Sequence, residues 1–351
     1  MGKTFAVLDF KTDEISAVYA SWGRNNEYII KGYENVRARG VPRGIVKDLN
    51  AASDTIAEIF DRINKKSDKK VHEAYVGITP AEIDIEPSSY TVLLSKYGKE
   101  ISRLDVDKIV RMGSILKLPE GKTPLHKIVR GFTVDGETGI RNPMGLEGVK
   151  LGVEMNIITV NSAVLNNLDK CIALAGYSVK RALLSGIAYP YRLAAEEDYN
   201  KFLVCLNIGH ARAEGIFFNN GALMDIVTIP VGLDDLGADK SGDAAADRIN
   251  TLVDGLKSLK GWHRSGKVLV TCEGMFDENV SYRLSEASGL SFEPAVCRTR
   301  PFEHLPPERM RYANCLGMLD FLQEEKKMKR PESNILKSLA KKSISFINKY
   351  F

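Results

Sequence analysis

The chain has 351 residues, of which 44% are hydrophobic and 27% charged, enough apolar material for two or three independent cores. Its formal net charge of +4 is unevenly placed, because residues 326–351 hold eight Lys/Arg against one Glu. That leaves a slightly acidic body and a basic C-terminal stretch suited to an anionic surface, and it sets nucleic-acid binding by the body aside.

The first element is a hairpin. FAVLDF (5–10) runs into a polar turn at Lys11–Glu14, and ISAVYA (15–20) leaves it; both arms read as strands. Lys3 and Asp9 interrupt the apolar run, Ala6 spoils a myristoylation start, and no later run reaches the ~18 apolar residues of a spanning helix. Neither a leader, an N-terminal acyl group nor a membrane span is therefore expected.

A third strand near Tyr28–Tyr33 leads into the Gly/Pro loop 39–50 and then a helix with Ile56, Ile59, Phe60 and Ile63 on one face. KKSDKK (65–70) reads as a solvated turn, and residues 71–79 as a strand. Residues 80–159 change character. Strand-like segments at 83–94, 126–136 and 150–160 surround one helix, which starts at Ser102 with Asp105 three residues on, as in a capping box. The loop 139–148 between the last two strands is dense in Gly, Pro and Asn. A further helix follows, with Leu165, Leu168, Ile172 and Ala175 in register and Gly176 as its stop.

Residues 203–218 repeat the opening pattern. Leu203–Leu206 enters a polar turn at Asn207–Arg212, Gly215–Phe218 leaves it, and aligning Asp9 with Asn207 superposes the two hairpins. A chain whose halves begin with the same unit suggests a duplication. Residues 232–266 read as a short, polar, Gly-rich piece. A strand (267–274), a helix ending near Gly289, a packed helix (309–322) and a charged linker (326–331) complete the body. Five cysteines with no CxxC suggest buried thiols in a reducing compartment, and the five histidines show no metal-ligand spacing.

Several stretches together resemble the FtsA family of actin-like bacterial division proteins: 39–60, 132–159, 166–179, 221–232 and 311–319. The block FTVDGETGIRNPMGLEGVKLGVEMNIIT (132–159) is the most specific, since it matches the small subdomain that FtsA carries and actin lacks. The resemblance implies an α/β, actin-like (ribonuclease H-like) two-lobed fold with an inserted small α+β subdomain. It divides the chain into a first lobe (1–79 and 160–198), an insert (80–159), a second lobe (199–232 and 266–325) with a reduced subdomain (233–265), a linker (326–334) and a terminal helix (335–351).

The resemblance also places two phosphate turns and an adenosine loop, and all three are degraded. In the first, Asp9 and Thr12 stand, but Lys11 replaces a glycine and Glu14 a lysine, so a carboxylate lies where a cation is expected. In the second, Asn207 replaces an aspartate that helps hold Mg²⁺. Gly209 remains, His210 and Ala211 replace glycines, and Arg212 and Ala213 replace threonines. The third reads Thr271, Cys272, Glu273, Gly274. The expectation is a pseudo-ATPase with no cofactor and no metal. The opposing reading has Lys11 and Arg212 binding phosphate in a new geometry.

The last seventeen residues form an amphipathic pattern. At ~100° per residue, Ile335, Leu336, Leu339, Ile344, Phe346, Ile347, Tyr350 and Phe351 fall on one half of the wheel, with Lys337, Lys341, Lys342 and Lys349 on the other. That arrangement fits an interfacial helix in the headgroup plane, as FtsA proteins have; the alternative is a helix docked on the protein's own core. A single such helix binds reversibly, so self-association, or association with another FtsA, is expected to hold the protein at the membrane.

The resulting expectation is a non-hydrolysing adaptor on the cytoplasmic face of the inner membrane, at the division septum, tethering FtsZ. Because the FtsA region carrying the FtsZ-tail surface is larger than 233–265, FtsZ binding does not follow automatically. The alternatives are an assembly-platform protein of a pilus or secretion system and, from another class, an ATPase or sugar kinase with atypical loops.

Overall fold

A computed structural model describes residues 3–11, 13–23, 27–41, 45–79, 82–194, 201–236, 243–272, 278–295 and 311–329. Three larger β-sheets organise the described residues, beside a two-stranded ribbon in which Lys99 and Glu100 pair with Gly148 and Glu147.

Lobe one begins with β1 (Thr4–Phe10), β2 (Glu14–Trp22) and β3 (Tyr28–Arg37). α1 (Leu49–Lys66) then crosses to β4 (Glu73–Ile78). Asp48 starts α1 by accepting from the amides of Asn50 and Ala51 at 3.0 and 3.1 Å. The expected apolar face of α1 is buried throughout. The insert follows: β5 (Ile83–Leu93), β6 (Lys99–Glu100), α2 (Arg103–Gly113), β7 (Lys122–Val134), β8 (Glu137–Ile140), β9 (Glu147–Gly148) and β10 (Lys150–Asn161). The chain returns to lobe one through α3 (Ser162–Leu174) and β11 (Ser178–Leu184), and a 3₁₀ turn at Ser185–Ala188 leads into α4 (Tyr189–Leu193).

The sheet of lobe one has the order β11-β4-β1-β2-β3, with β1, β4 and β11 parallel and the others antiparallel. α1 and α3 cover one face, burying Leu8, Phe10, Ile56, Phe60 and Ile172 together.

Lobe two repeats this plan. β12 (Phe202–Ile208), β13 (Ala213–Asn219) and β14 (Ala222–Ile229) precede α5 (Leu233–Leu236) and α6 (Asp243–Lys257). β15 (Lys267–Cys272), α7 (Glu278–Ser288) and β16 (Ser291–Pro294) complete a sheet of order β14-β13-β12-β15-β16. Asn207 in β12 pairs with Glu214 and Thr271, the places that Ser16 and Gly77 hold around Asp9 in β1. The two hairpins are thus equivalent, as their sequences suggest.

Two expectations need correction. Residues 233–265 are not a reduced subdomain, because α6 is the crossover helix of lobe two. Ile249, Leu252, Val253 and Leu256 on α6 pack against Val204, Leu206 and Val268 of the sheet. Their three- and four-residue spacing is helical, and the surrounding Gly, Asp and Lys residues obscure it. The last helix, α8 (Ala313–Lys329), does not belong to lobe two with residues 266–325. Its Cys315, Leu316, Met318 and Leu319 join Phe5, Val7 and Val18 on the other face of lobe one, in a cluster that lobe two enters through Leu203, Cys205 and Phe218. α8 also runs on to Lys329, into the stretch expected to be linker.

The insert is an antiparallel sheet, β5-β10-β7-β8, with α2 on one face over Val129, Phe132 and Val153. The Ser102–Asp105 capping box is present at the start of α2. Polar side-chain contacts brace the insert against the body. Asn156 donates to the Leu223 carbonyl at 3.1 Å, Arg141 donates to Asn220, and the buried His126 accepts from the Leu184 amide at 2.9 Å. Since Nε2 of His126 accepts, the neutral ring carries its proton on Nδ1.

Burial, with Arg181 nearby, holds the pKa of His126 well below 6.5. An unfolded chain takes up a proton near 6.5 that the folded chain refuses. The contribution to stability is therefore complete above pH 6.5 and is lost as pH falls from there towards the folded value. The loss runs at up to about 1.4 kcal/mol per pH unit. Urea midpoints between about pH 7 and pH 5 should decline more steeply for wild type than for His126→Gln, and parallel declines would overturn this.

Candidate functional site

The two hairpin turns face the seam between the lobes. At the first, Asp9, the last residue but one of β1, is almost fully buried, with 1% of its surface exposed. Its Oδ1 accepts from Ser185 Oγ at 2.8 Å and its Oδ2 from Asn314 Nδ2 at 2.9 Å. Burial pushes the carboxyl above its usual range, although Lys11, Ser185 and Asn314 pull the other way. Gly77, opposite Asp9 on β4, makes room for this arrangement: a Cβ there would lie 2.7 Å from both Ser185 Oγ and Met318 Cε. Gly77→Ala is expected to cost about 1–3 kcal/mol and to loosen the Ser185–Asp9 bond. Thermal melts of this variant beside Ser185→Ala check it, and an unchanged Gly77→Ala melt would rule it out.

Lys11 and Glu14 close the turn on itself. The Lys11 amide donates to the Glu14 carbonyl at 3.0 Å, and Lys11 Nζ lies 2.9 Å from Glu14 Oε1. Lys11 Nζ also donates to the Arg311 carbonyl at 2.7 Å. Glu14 Oε1 accepts from Ser16 Oγ at 3.0 Å, and Arg311 lies 3.7 Å from Oε2. Burial raises the Glu14 pKa, but Lys11, Ser16 and Arg311 outweigh it and leave the carboxylate below its ordinary value. The anomalous Lys–Glu exchange is thus an internal ion pair, held by the residues that lead into α8. Thr12 lies outside the described residues.

The second turn is closed differently. Gly209 donates to the Arg212 carbonyl at 2.9 Å. The carbonyls of Gly209 and His210 accept from the amides of Leu233 and Asp234 at 2.8 and 3.0 Å. Gly232 permits this approach, because a Cβ there would lie 2.2 Å from the His210 carbonyl oxygen. His210 Nδ1 lies 3.3 Å from Asp234 Oδ1. Asn207 Oδ1 accepts from Thr271 Oγ1 at 2.9 Å, and Arg212 donates across the seam to the Thr79 carbonyl. Gly274 lies outside the described residues, as does the whole amphipathic set Ile335 to Phe351.

The side chains at these turns are a poor fit to a nucleoside polyphosphate. Lys11 is committed to Glu14 and Arg311, Arg212 to Thr79, and the Glu14 carboxylate would oppose phosphate charge. No group of three or more His, Cys, Asp or Glu among the described residues could hold a metal ion. A cavity of about 310 Å³ opens elsewhere, between Glu82–Asp84 of the insert and Ile226–Thr228 of β14. Sequence reasoning located Asp9, Lys11, Glu14 and Asn207 but missed Ser185, Arg311 and Asn314. Asn314 lies 305 residues from Asp9, and its only signal was that 311–319 took part in the resemblance.

Comparison with known proteins agrees with the insert's architecture. Residues 81–159 match a model of the SHS2 domain inserted in FTSA. The cell division protein FtsA of Pseudomonas aeruginosa is 22% identical over 238 residues, 68% of this chain and 57% of that protein. FtsA of Borreliella burgdorferi is 26% identical over 226 residues, 64% of this chain and 55% of that one. The chain thus spans about half the length of the curated relatives it matches. Among solved structures, the PilM–PilN type IV pilus biogenesis complex aligns with a TM-score of 0.59 at 13% identity, covering 90% of this chain and 97% of that one. The ethanolamine utilization protein EutJ of Carboxydothermus hydrogenoformans aligns with 0.51 at 12%, covering 91% and 90%.

Proposed function

This chain is related to FtsA at the level of the family, with an actin-like two-lobed α/β fold and an inserted α+β subdomain, and from that premise we propose that it is a non-hydrolysing membrane adaptor. It oligomerises on the cytoplasmic face of the inner membrane through its terminal helix and holds a partner there, with the FtsZ ring as first candidate. The observation that carries the non-hydrolysing half is the Lys11–Glu14 pair, tied to the Arg311 carbonyl. A turn built to cradle phosphate has become a strut between lobe one and α8. The membrane half rests on the lysine-opposed apolar stripe of residues 335–351.

One observation favours a different client. Lobe two passes from β14 through α6 to β15 without an added sheet among the described residues, so the larger subdomain implied for FtsZ binding has no counterpart there. An inner-membrane assembly platform for a pilus or secretion machine is the second reading.

Co-pelleting with anionic vesicles tests both, using the full chain and a version ending at Arg330, with and without purified FtsZ. Pelleting of the full chain alone, with FtsZ brought down, is the expected result. Pelleting without FtsZ turns the reading to the second client. Equal behaviour of the two versions removes the membrane role. Calorimetry with Mg·ATP is expected to show no binding, and turnover would overturn the pseudo-ATPase reading.

A further inference from the structure

The end of lobe one farthest from the hairpin turn gathers lysines from several elements. β1, β4 and β11 run parallel and all begin there. Lys3, just before β1, and Lys180 of β11 share one carboxylate, Glu73, at 3.3 and 3.0 Å. α1 ends there with Lys65 and Lys66, and the connection to β4 adds Lys69 and Lys70. Lys66 reaches Glu34 at 2.6 Å, whereas Lys65, Lys69 and Lys70 are exposed and have no carboxylate partner among the described residues. Glu27 and Asp68 offset part of this charge, and Ile29, 51% exposed, adds an apolar side chain to the same end.

α8 finishes at that end too. Starting beside Asp9, it runs the depth of the lobe. Asp320 and Gln323 accept from Tyr28, and Lys326 Nζ lies 3.7 Å from the ring centroid of Trp22, the strand partner of Tyr28. Since α8 continues to Lys329, only residues 330–334 separate it from the amphipathic stretch. Five residues span at most ~18 Å when fully extended, about twice the ~8–10 Å screening length of physiological salt. A terminal helix lying in the headgroup plane therefore keeps this end of the body within ~18 Å of the surface, and within the ~8–10 Å screening range whenever the linker is at about half extension or less.

We propose that the lysine-bearing end of lobe one, centred on Lys65, Lys69 and Lys70, is a second contact with an anionic lipid surface, engaging the same leaflet as the terminal helix. The proposal rests on the membrane reading above and extends it from the tail to the body. The body contributes charge and fixes orientation: the end with α8's last turn faces the lipid, and the seam carrying the hairpin turns points away from it. Two linked contacts on one surface also raise avidity without any new oligomer contact.

The test is a vesicle-binding titration with the full chain, using phosphatidylglycerol mixed into phosphatidylcholine. Lys65→Glu, Lys69→Glu and Lys70→Glu are combined in one variant. Lys96→Glu, Lys108→Glu and Lys117→Glu, all exposed on the insert, are combined in a second variant with the same change in net charge. Each lysine near an anionic leaflet contributes about 1 kcal/mol, so the first variant should lose about a hundredfold in affinity. The second should stay within about threefold of wild type, and circular dichroism melts confirm that both are folded. Equal losses in the two variants would overturn the proposal in favour of net charge alone. No loss in the first variant, with binding abolished by ending the chain at Arg330, would overturn the proposal and leave the membrane reading intact. Failure of wild type to bind would remove both.

Discussion

Truncation of Phe321 to alanine is expected to lower the free energy of unfolding by about 3–5 kcal/mol, measured from the global transition in urea. The ring is 1% exposed. It stands edge-on to His126 at 6.0 Å and to Tyr191 at 5.5 Å, with the Arg181 guanidinium 5.7 Å above it. It thus fills the junction where the root of the insert, α4 and α8 meet. The Arg181–Glu325 pair at 2.6 Å closes one side, so the neighbours cannot collapse freely into the void. Phe321→Leu, which refills most of the volume, should recover more than half of the loss. A cost below about 1.5 kcal/mol for the alanine variant would show that the junction relaxes and that the insert is not anchored through this ring.

Removal of Asp320 is the second large effect. Its carboxylate accepts from Tyr28 Oη at 2.5 Å and lies 3.0 Å from Arg192 Nε, while Arg192 also donates to Tyr28 Oη at 2.9 Å. Arg192 is 4% exposed. Asp320→Ala leaves a guanidinium buried without its counter-ion, which costs about 3–5 kcal/mol. Burial, with Asp320 beside it, already raises the pKa of Tyr28 far above its ordinary value, so the phenol does not supply the missing charge. The double variant Asp320→Leu with Arg192→Met should be less damaging than Asp320→Ala alone, because removing both charges removes the desolvation cost. Comparable losses in the two would mean that the triad contributes through packing and not charge.

Much of the architecture could be read locally. The paired hairpins, the buried stripe of α1, the Ser102 cap of α2 and the stop at Gly176 each rest on a pattern a few residues long, and each formed as that pattern dictates. What could not be read is what covers the second face of β1. Nothing near Phe5 or Val7 announces that Leu316 and Leu319 will lie on them. The same limit applies at the site. The exchange of Lys11 and Glu14 was visible, but the Ser185 and Asn314 side chains that saturate Asp9 come from positions 176 and 305 residues away. α6 escaped notice for a different reason: its apolar spacing is regular, but it lies amid residues that favour turns.

The contact between Lys11 and the Arg311 carbonyl spans 300 residues of sequence, and that separation has a consequence during synthesis. At roughly 5–20 residues per second, the ribosome needs roughly 15–60 s between making β1 and making α8. Over that interval the face of β1 and β2 bearing Phe5, Val7 and Val18 has no helix to cover it. Nascent chains arrested before residue 311 should therefore be retained by holding chaperones, and chains released after Lys329 should not. Residues 335–351, the stretch proposed above to meet lipid, follow α8 in order of synthesis. On that proposal the terminal contact becomes available only after lobe one can close, so the linked, two-point attachment is reserved for finished bodies by the order of translation.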